Sequence, residues 1–305
     1  MTQATSVATS IATSVKVRFF PPPDYMSRYF TTFYHVDFTV AGNRRIVDYL
    51  LPEWANLRIH SGDLPDAWGT DGQRLSRSNF PVTGPSSKAV QFTVGPTRLW
   101  GIGLLPLGWA KFMGEPAADL ANALVDGNSH PAFASYRPLA RSLFAPGSTI
   151  ETDLARIIRH FQSRLDEPVP DKNRILAIHK ALVDPETTTV RDLVAQGGAS
   201  QRTVERLCMR YFGFPPKLLL RRQRFLRSLI HFTLDPSLRW VGAMDSHYHD
   251  QAQFVRDFKE FMDMTPRRYA ALDKPLIGAM MIERARFAGS AAQGLDRPEG
   301  LSMRR

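Results

Sequence analysis

Apolar residues between positions 190 and 212 repeat at three- and four-residue spacing, which predicts two short amphipathic helices. The first spans 190–195 and stops before the glycine pair 197–198, where the chain can turn sharply. The second opens at Ser200, a residue type that favours the N-cap position. Its predicted buried face comprises Val204, Leu207, Cys208, Tyr211 and Phe212. A helix, a tight turn and a second helix with an exposed polar face are typical of a helix-turn-helix.

A second segment of similar design follows about fifty residues later, over 238–269. Asp250 predicts the N-cap of its second helix, and Phe254, Phe258 and Phe261 predict the buried stripe. The partner helix is predicted over 238–244. Pro266 suits the first position of a closing helix. The chain therefore carries two predicted helix-turn-helix units.

The N-terminal half is mainly β in character, because aromatic and β-branched runs alternate with Gly, Pro, Asp and Ser turns. Strands are predicted over 29–40, 46–51, 56–60, 89–94 and 97–104. Helices are predicted over 108–113, 117–126 and 150–165, the last capped by Ser148 or Thr152. Short strands at this spacing favour a sandwich or a barrel.

These patterns predict an α+β protein of two domains, which a length of 305 residues readily accommodates. The predicted boundaries are a disordered leader over 1–14, a β-rich sensory or assembly domain over 15–165, a proline-containing linker over 166–174, a DNA-binding domain over 175–275, and a loose tail over 276–305. Within this tail the pattern allows one more helix near 277–287.

Positive charge is concentrated next to the first helix-turn-helix rather than spread along the chain, whose formal net charge is +10. Glu205 is the single acid in the stretch 202–227, which holds eight basic residues: Arg202, Arg206, Arg210, Lys217, Arg221, Arg222, Arg224 and Arg227. Such a cluster predicts a surface that attracts phosphates. Predicted phosphate contacts are Arg210, Lys217, Arg221, Arg222 and Lys259.

The two helical units resemble the double helix-turn-helix domain of the AraC/XylS family of transcription regulators, over roughly residues 175–272. The first unit matches the family pattern with Ser200, Arg202, Val204 and Arg206; the linking helix matches it with Arg224-Phe225; the second unit matches it at 254–259 and 265–269. Cys208, His247 and Asp263 depart from the pattern without removing a DNA-reading residue. The resemblance implies two helix-turn-helix units tied by one central helix, with Arg224 as a candidate internal brace.

Six polar residues are the candidate base contacts: Arg202, Glu205, Arg206, Gln251, Gln253 and Arg256. A guanidinium matches guanine O6 and N7, and a glutamine amide matches adenine N6 and N7. Glu205 has two roles open to it, accepting from a cytosine amine or holding a neighbouring arginine in place. Arg256 suits either a base or a phosphate.

Short phrases in the N-terminal half, over 52–56, 84–85, 104–110 and 118–120, resemble a cupin-like sensory domain that precedes AraC-type units. This resemblance implies a β-barrel. The candidate effector-pocket residues are Phe33, Tyr34, Phe38, Trp54, Phe92 and Trp100, with ordinary core packing as the alternative. The 150–165 helix offers a stripe for a homodimer, and packing on its own barrel is the simpler option.

Evidence for an enzyme is thin. The histidines are scattered, so no cofactor and no metal site is predicted. The alternative is a cupin-like metalloenzyme fused to a DNA-binding unit, with His35, His60 and Glu53 as the candidate metal ligands. The lone Cys208 lies on an apolar face and is expected to be a packed thiol. With no membrane span and no signal peptide expected, the prediction is a cytoplasmic regulator, grouped with activators, that binds double-stranded DNA. RNA polymerase and a small-molecule effector are further candidate partners.

Overall fold

The computed structural model describes residues 13–299 apart from 236 and 239. Within them the chain folds as an α+β protein. Its strands are β1 (Thr13–Phe20), β2 (Phe30–Val40), β3 (Ile46–Leu50), β4 (Asn56–Gly62), β5 (Asp66–Trp68), β6 (Arg74–Ser76), β7 (Pro81–Thr83), β8 (Val90–Val94), β9 (Thr97–Leu104) and β10 (Leu124–Asp126). Its helices are α1 (Pro106–Phe112), α2 (Arg137–Ser142), α3 (Ile150–Gln162), α4 (Lys172–Val183), α5 (Val190–Gly197), α6 (Gln201–Leu207), α7 (Pro216–Leu234), α8 (Trp240–Ala243), α9 (Gln251–Met262), α10 (Pro266–Ala270) and α11 (Ile277–Ala288).

The strands form two antiparallel sheets, and all five predicted strand regions are confirmed. One sheet has six strands in the order β1-β2-β9-β4-β7-β10, and the other has four in the order β3-β8-β5-β6. The predicted barrel is not closed within the described residues: β6 and β10, three residues each, lie close together but are not hydrogen-bonded neighbours. The N-terminal half is thus a pair of open sheets packed on a shared apolar core.

The six-stranded sheet is covered on both faces, which explains why β2 is buried at nearly every position. Tyr34, Val36 and Phe38 pack with residues of the four-stranded sheet. Phe30 and Phe33 pack on the other face, against α1 and α3. The register of β2 against β9 shifts between Phe30 and Phe33. Because of this irregularity both rings face the same side of the sheet, although residues three apart in a regular strand face opposite sides.

The apolar stripe of α3 is used within the chain. Ile157 and Phe161 are fully buried, and the Phe161 ring centroid lies 4.7 Å from that of Phe30. The helix is capped by Thr149, whose hydroxyl accepts from the Thr152 amide, rather than by either predicted residue. Packing on its own sheet is therefore the role of this stripe, which leaves no apolar seam on α3 for the homodimer considered above.

Two predicted boundaries are wrong in the middle of the chain. The helix predicted over 117–126 is a short 3₁₀ turn, Ala117–Leu120, followed by β10, because Asn122 adopts a left-handed conformation with φ of +57°. The linker predicted over 166–174 ends earlier, since α4 already begins at Lys172. No helix in the described part of the chain is both long and apolar enough to cross a membrane.

The two halves share a core instead of being separated by the linker. Trp54, Leu105 and Leu107 of the β-rich half belong to the same buried cluster as the apolar faces of α4, α5 and α6. Gly213, which follows the first helix-turn-helix with φ of +85°, lies so close to Pro85 that an added Cβ would approach that side chain to 3.1 Å. The first helix-turn-helix is therefore seated directly on the β-rich half.

Both chain ends also depart from the prediction. Residues 1–12 of the predicted leader lie outside the described residues, whereas Thr13 and Ser14 begin β1. The helix allowed near 277–287 is present as α11, but the tail is not loose: residues 276–299, here called the C-terminal segment, pack back on the β-rich half. Ile277 and Met281 are buried there, because together with Leu276 they form an apolar stripe that the sheet covers.

Candidate nucleic-acid interface

The first helix-turn-helix consists of α5 and α6, each with the side-chain cap that the sequence supports. The Ser200 hydroxyl accepts from the Thr203 amide at 3.3 Å, and Gly198 turns the chain with φ of +61°. Thr189 and Asp192 form a reciprocal capping box at the start of α5. Residues 208–212 continue α6 through one π-helical turn. The predicted buried face is confirmed, with Val204, Leu207, Cys208 and Phe212 fully buried and Tyr211 nearly so.

The predicted DNA-facing side of α6 is exposed. Arg202, Glu205, Arg206 and Arg210 are all exposed to solvent. Glu205 accepts a hydrogen bond from Gln201 at 2.9 Å, and among the described residues no ion pair joins it to an arginine of its own helix. Arg206 approaches Asp171 only to 3.9 Å. These side chains are free to contact a polar surface.

The second helix-turn-helix consists of α8 and α9. Asp250 is confirmed as the N-cap, accepting from the Gln253 amide at 2.6 Å, and Phe254, Phe258 and Phe261 are buried. Gln251 and Arg256 are exposed as predicted. Gln253 is half-buried, and its side-chain oxygen accepts from the His249 amide at 3.2 Å. Its amide is therefore less available for a base than that of Gln251.

The second unit closes as the sequence indicates. Asp263 ends α9 in a left-handed conformation with φ of +54°, and Pro266 opens α10. The predicted partner helix over 238–244 is shorter in the structure, where α8 spans Trp240–Ala243. His247 pairs with Asp245 at 3.0 Å, which holds it in the turn between the two helices.

A groove of about 560 Å³, here called the basic groove, runs between the start of α5, one face of α7 and α9, the second helix of the second helix-turn-helix. Its walls carry five cationic side chains against two acidic ones. The cations are Lys217, Arg221, Arg224, Arg227 and Arg256, and the acids are Asp257 and Glu260. The N-terminus of α5, at Thr189 and Val190, also faces it. Both the excess of cations and a helix N-terminus favour an anion there.

Asp257 organises the cations of the basic groove. Its carboxylate, which is 2 % exposed, accepts from Arg221 at 2.6 Å, from Arg224 at 3.2 Å and from the Tyr248 hydroxyl at 3.1 Å. Arg224 also lies 4.4 Å from the centroid of the Tyr248 ring and donates to the His247 carbonyl. Arg224 therefore braces α7 against the second helix-turn-helix; its role as a brace between the two units stays a prediction. Asp257 is not among the residues predicted from the sequence, although its position one turn after the buried Phe254 indicates an inward-facing acid.

Two of the predicted phosphate contacts are engaged inside the protein. Arg222 is fully buried and donates to the carbonyl oxygen of Ser86 at 2.9 Å, so it cannot reach a phosphate in this conformation. Burial lowers the pKa of Arg222 to about 9, which leaves it charged at neutral pH. Arg221 is paired with Asp257 and Glu260. Arg210, Lys217 and Lys259 remain exposed, as phosphate contacts must be.

The rings predicted to line an effector pocket fall in four different places. Tyr34 and Phe92 line a cavity near the four-stranded sheet. Phe33 and Trp100 lie on the opposite face of the six-stranded sheet, Phe38 lies in the core between the sheets, and Trp54 packs against the first helix-turn-helix. Four of the six are therefore core residues, because the covered sheet buries rings on both of its faces.

The candidate metal residues do not converge. Glu53 is ion-paired with Arg58 at 2.5 Å. His35 packs edge-on against Trp100 on one face of the six-stranded sheet, whereas His60 lines the cavity on the opposite face. Burial lowers the pKa of His60 to about 3. In the part of the chain that the structure describes, no three His, Cys, Asp or Glu residues cluster as metal ligands. Burial raises the pKa of the Cys208 thiol to about 12, as expected for a packed thiol.

No model of a known protein family matches this sequence, and no curated protein is similar to it. Among the solved structures that resemble it are those of ToxT from Vibrio cholerae, an AraC-family regulator. One at 1.65 Å resolution covers 86% of this chain and 98% of ToxT, with 9% identity and a TM-score of 0.41. Unsaturated fatty acid bound wild-type ToxT covers 88% and 97%, with 9% identity and a TM-score of 0.39. A likeness this weak does not by itself assign a function.

Proposed function

We propose that this chain is a sequence-specific, DNA-binding transcription regulator of AraC type. The observation that carries the proposal is the pairing of two capped helix-turn-helix units, each with a buried apolar face and an exposed polar face, through α7. The basic groove adjoins the second of them. This combination suits binding to two successive major-groove segments of one duplex.

Base reading is assigned to the exposed polar side chains of the reading helices α6 and α9. In α6 these are Arg202, Glu205 and Arg206; in α9 they are Gln251 and Arg256, with Gln253 in a lesser role because its amide oxygen is already engaged. Arginine to guanine and glutamine to adenine are the pairings that discriminate bases in the major groove.

Phosphate contact is assigned to Arg210, Lys217 and Lys259, which are exposed; Lys217 also lies in the wall of the basic groove. Such contacts fix the position of the protein on the duplex and carry no sequence information of their own. Arg221 can contact a phosphate only if the phosphate displaces one of its two carboxylate partners, Asp257 and Glu260.

The β-rich half is proposed to control DNA binding through a small-molecule effector or a partner such as RNA polymerase. Its support is the core that this half shares with the first helix-turn-helix, through which a change in one half can reach the other. Since its target is genomic DNA, the proposed regulator acts in the cytoplasm.

The test is recovery of fragments bound by the purified full chain from sheared genomic DNA, followed by sequencing and footprinting. The expected result is a bipartite site whose two halves lie about 10 base pairs apart. A matched variant carries Arg202→Ala, Arg206→Ala and Arg256→Ala, three exposed positions whose replacement leaves the fold intact. If wild type and this variant recover the same fragments equally well, the two reading helices do not select DNA and the proposal fails.

A further inference from the structure

A cavity of about 110 Å³ lies where the two sheets meet the C-terminal segment. Its wall is mainly hydrocarbon and aromatic, with Phe19, Leu50, Phe92 and Val94 on the sheet side. On the other side α11 contributes Ile277, Met280 and Met281, and the residues after it contribute Ala291 and Ala292. The cavity is therefore completed by the part of the chain that directly follows the second helix-turn-helix.

The charged groups in this wall are already neutralised by partners. Arg58 donates to the Glu53 carboxylate at 2.5 Å and to the Thr83 hydroxyl at 3.0 Å. Arg284 is paired with the buried Asp296. Each cation thus has a carboxylate of its own, so an anionic ligand would have to displace a buried ion pair, which is strongly unfavourable.

The polar groups that remain in the wall are uncharged. His60 is 8 % exposed and neutral, and its Nδ1 lies 3.4 Å from the Thr97 hydroxyl. Thr97 engages only one of the two ring nitrogens. Tyr34 is likewise neutral, because burial raises its pKa, and its hydroxyl donates to Asn56. The second ring nitrogen of His60 is therefore a neutral group of the wall that can pair with a ligand.

We propose that this cavity binds one uncharged, mainly hydrocarbon molecule of about one ring, with at most one hydroxyl group, which pairs with His60. Apolar cavities of roughly 150 Å³ take up benzene. This cavity, at about 110 Å³, is of the same order but smaller, which limits the ligand to about one ring. The effector role of the ligand rests on the proposed function, but its binding does not. Binding is therefore tested on the protein without DNA.

The probes are benzyl alcohol and benzoate, which share a ring and differ in charge, titrated into the full chain and followed by ligand-observed NMR. Benzyl alcohol is expected to bind at least tenfold more tightly than benzoate. Ala67→Leu, which places three extra carbons in the cavity wall, is expected to abolish binding. The matched control Ala41→Leu, at an exposed position, is expected to retain it. Equal or tighter binding of benzoate, or undiminished binding by Ala67→Leu, would overturn the proposal.

Two further variants test the chemistry of the wall. Glu53→Gln leaves Arg58 without its carboxylate, so the preference is expected to shift toward benzoate. His60→Phe keeps a ring but removes the nitrogen, so benzyl alcohol is expected to lose its advantage over toluene. An unchanged preference in both variants contradicts the assigned roles.

The failures of the two proposals can be told apart by an electrophoretic mobility shift with a recovered DNA fragment. If the chain binds DNA but not benzyl alcohol, the cavity assignment is wrong and the regulator stands. If it binds benzyl alcohol but selects no DNA, the proposed regulator function is wrong and the proposed ligand binding is supported.

Discussion

The guanidinium of Arg222 lies over the indole of Trp54, with 4.1 Å between the guanidinium carbon and the ring centroid. Arg222 belongs to α7, which ties the two helix-turn-helix units, and Trp54 belongs to the β-rich half. The same guanidinium donates to the carbonyl oxygens of Ser86 and Glu53. This buried cation is therefore a fixed joint between the proposed sensory and DNA-binding halves.

Arg222→Met is expected to destabilise the chain by roughly 2–4 kcal/mol, because two buried carbonyls lose a donor and the indole loses its cation. Relief from burying a charge offsets part of this loss. The measurement is the free energy of unfolding in a denaturant titration. Arg202→Met, an exposed control, is expected to change it by less than about 0.5 kcal/mol. Equal effects of the two substitutions on the unfolding free energy would contradict the interpretation that Arg222 ties the two halves together.

Asp48 ties the C-terminal segment to β3. Its carboxylate accepts from the Leu276 and Ile277 amides at 3.0 and 2.9 Å, and burial raises its pKa from 3.8 to about 6. Because the folded-state pKa is the higher one, the folded state holds the proton more tightly. The stabilisation is fully present below pH 3.8 and is lost as the pH rises through about 6.

The expected loss of unfolding free energy from this group, over that pH window, is on the order of 3 kcal/mol. Asp48→Asn removes the titrating group, so the difference in unfolding free energy between wild type and variant is expected to change across the window. Asp24→Asn, at an exposed position, serves as the control and is expected to leave the pH profile unchanged. Parallel pH profiles for wild type and Asp48→Asn would show that Asp48 does not titrate in this way.

Much of the helical half could be predicted because its signals are local. A cap such as Ser200 or Asp250 and the apolar spacing that follows it lie within a few residues of each other. The inward position of Arg222 could also have been inferred, since it lies three residues after Leu219 and three before Phe225, both fully buried. The dense run of basic residues around Arg222 instead favoured its interpretation as a phosphate contact.

The cavity and the packing of the C-terminal segment on the sheet could not be predicted in the same way. The cavity wall combines residues from as far apart as Phe19 and Gln293, and no local pattern records which strands meet which helix. The stripe of α11 is short, and its burial depends on a sheet more than two hundred residues away in sequence. The aromatic content of β2 indicated burial but not which face of the sheet each ring occupies.

Asp257→Asn is expected to destabilise the second helix-turn-helix by roughly 2–4 kcal/mol, because it leaves Arg221 and Arg224 without their buried carboxylate. Glu260→Gln is the matched control: its carboxylate also pairs with Arg221 but is 39% exposed, so its loss is expected to cost less than about 1 kcal/mol. Denaturant unfolding measures both. A larger loss for Glu260→Gln than for Asp257→Asn would contradict the view that Asp257 organises the basic groove.

Arg206 and Lys217 are both exposed and basic, yet the proposed function gives them different roles. Arg206→Ala is expected to cost about 1–3 kcal/mol on the preferred DNA and to relax the choice at one base position. Lys217, in the wall of the basic groove, is assigned to phosphate. Lys217→Ala is expected to weaken binding to all sequences alike and to lower the salt slope of the binding constant by about 1.

The measurement is fluorescence anisotropy with the recovered fragment and its single-base variants at several salt concentrations. Lys16→Ala, an exposed lysine on β1, is the control for loss of one positive charge and is expected to alter neither selectivity nor the salt slope. Uniform and equal losses from Arg206→Ala and Lys217→Ala would refute the division of roles, because a base contact must discriminate among sequences where a phosphate contact does not.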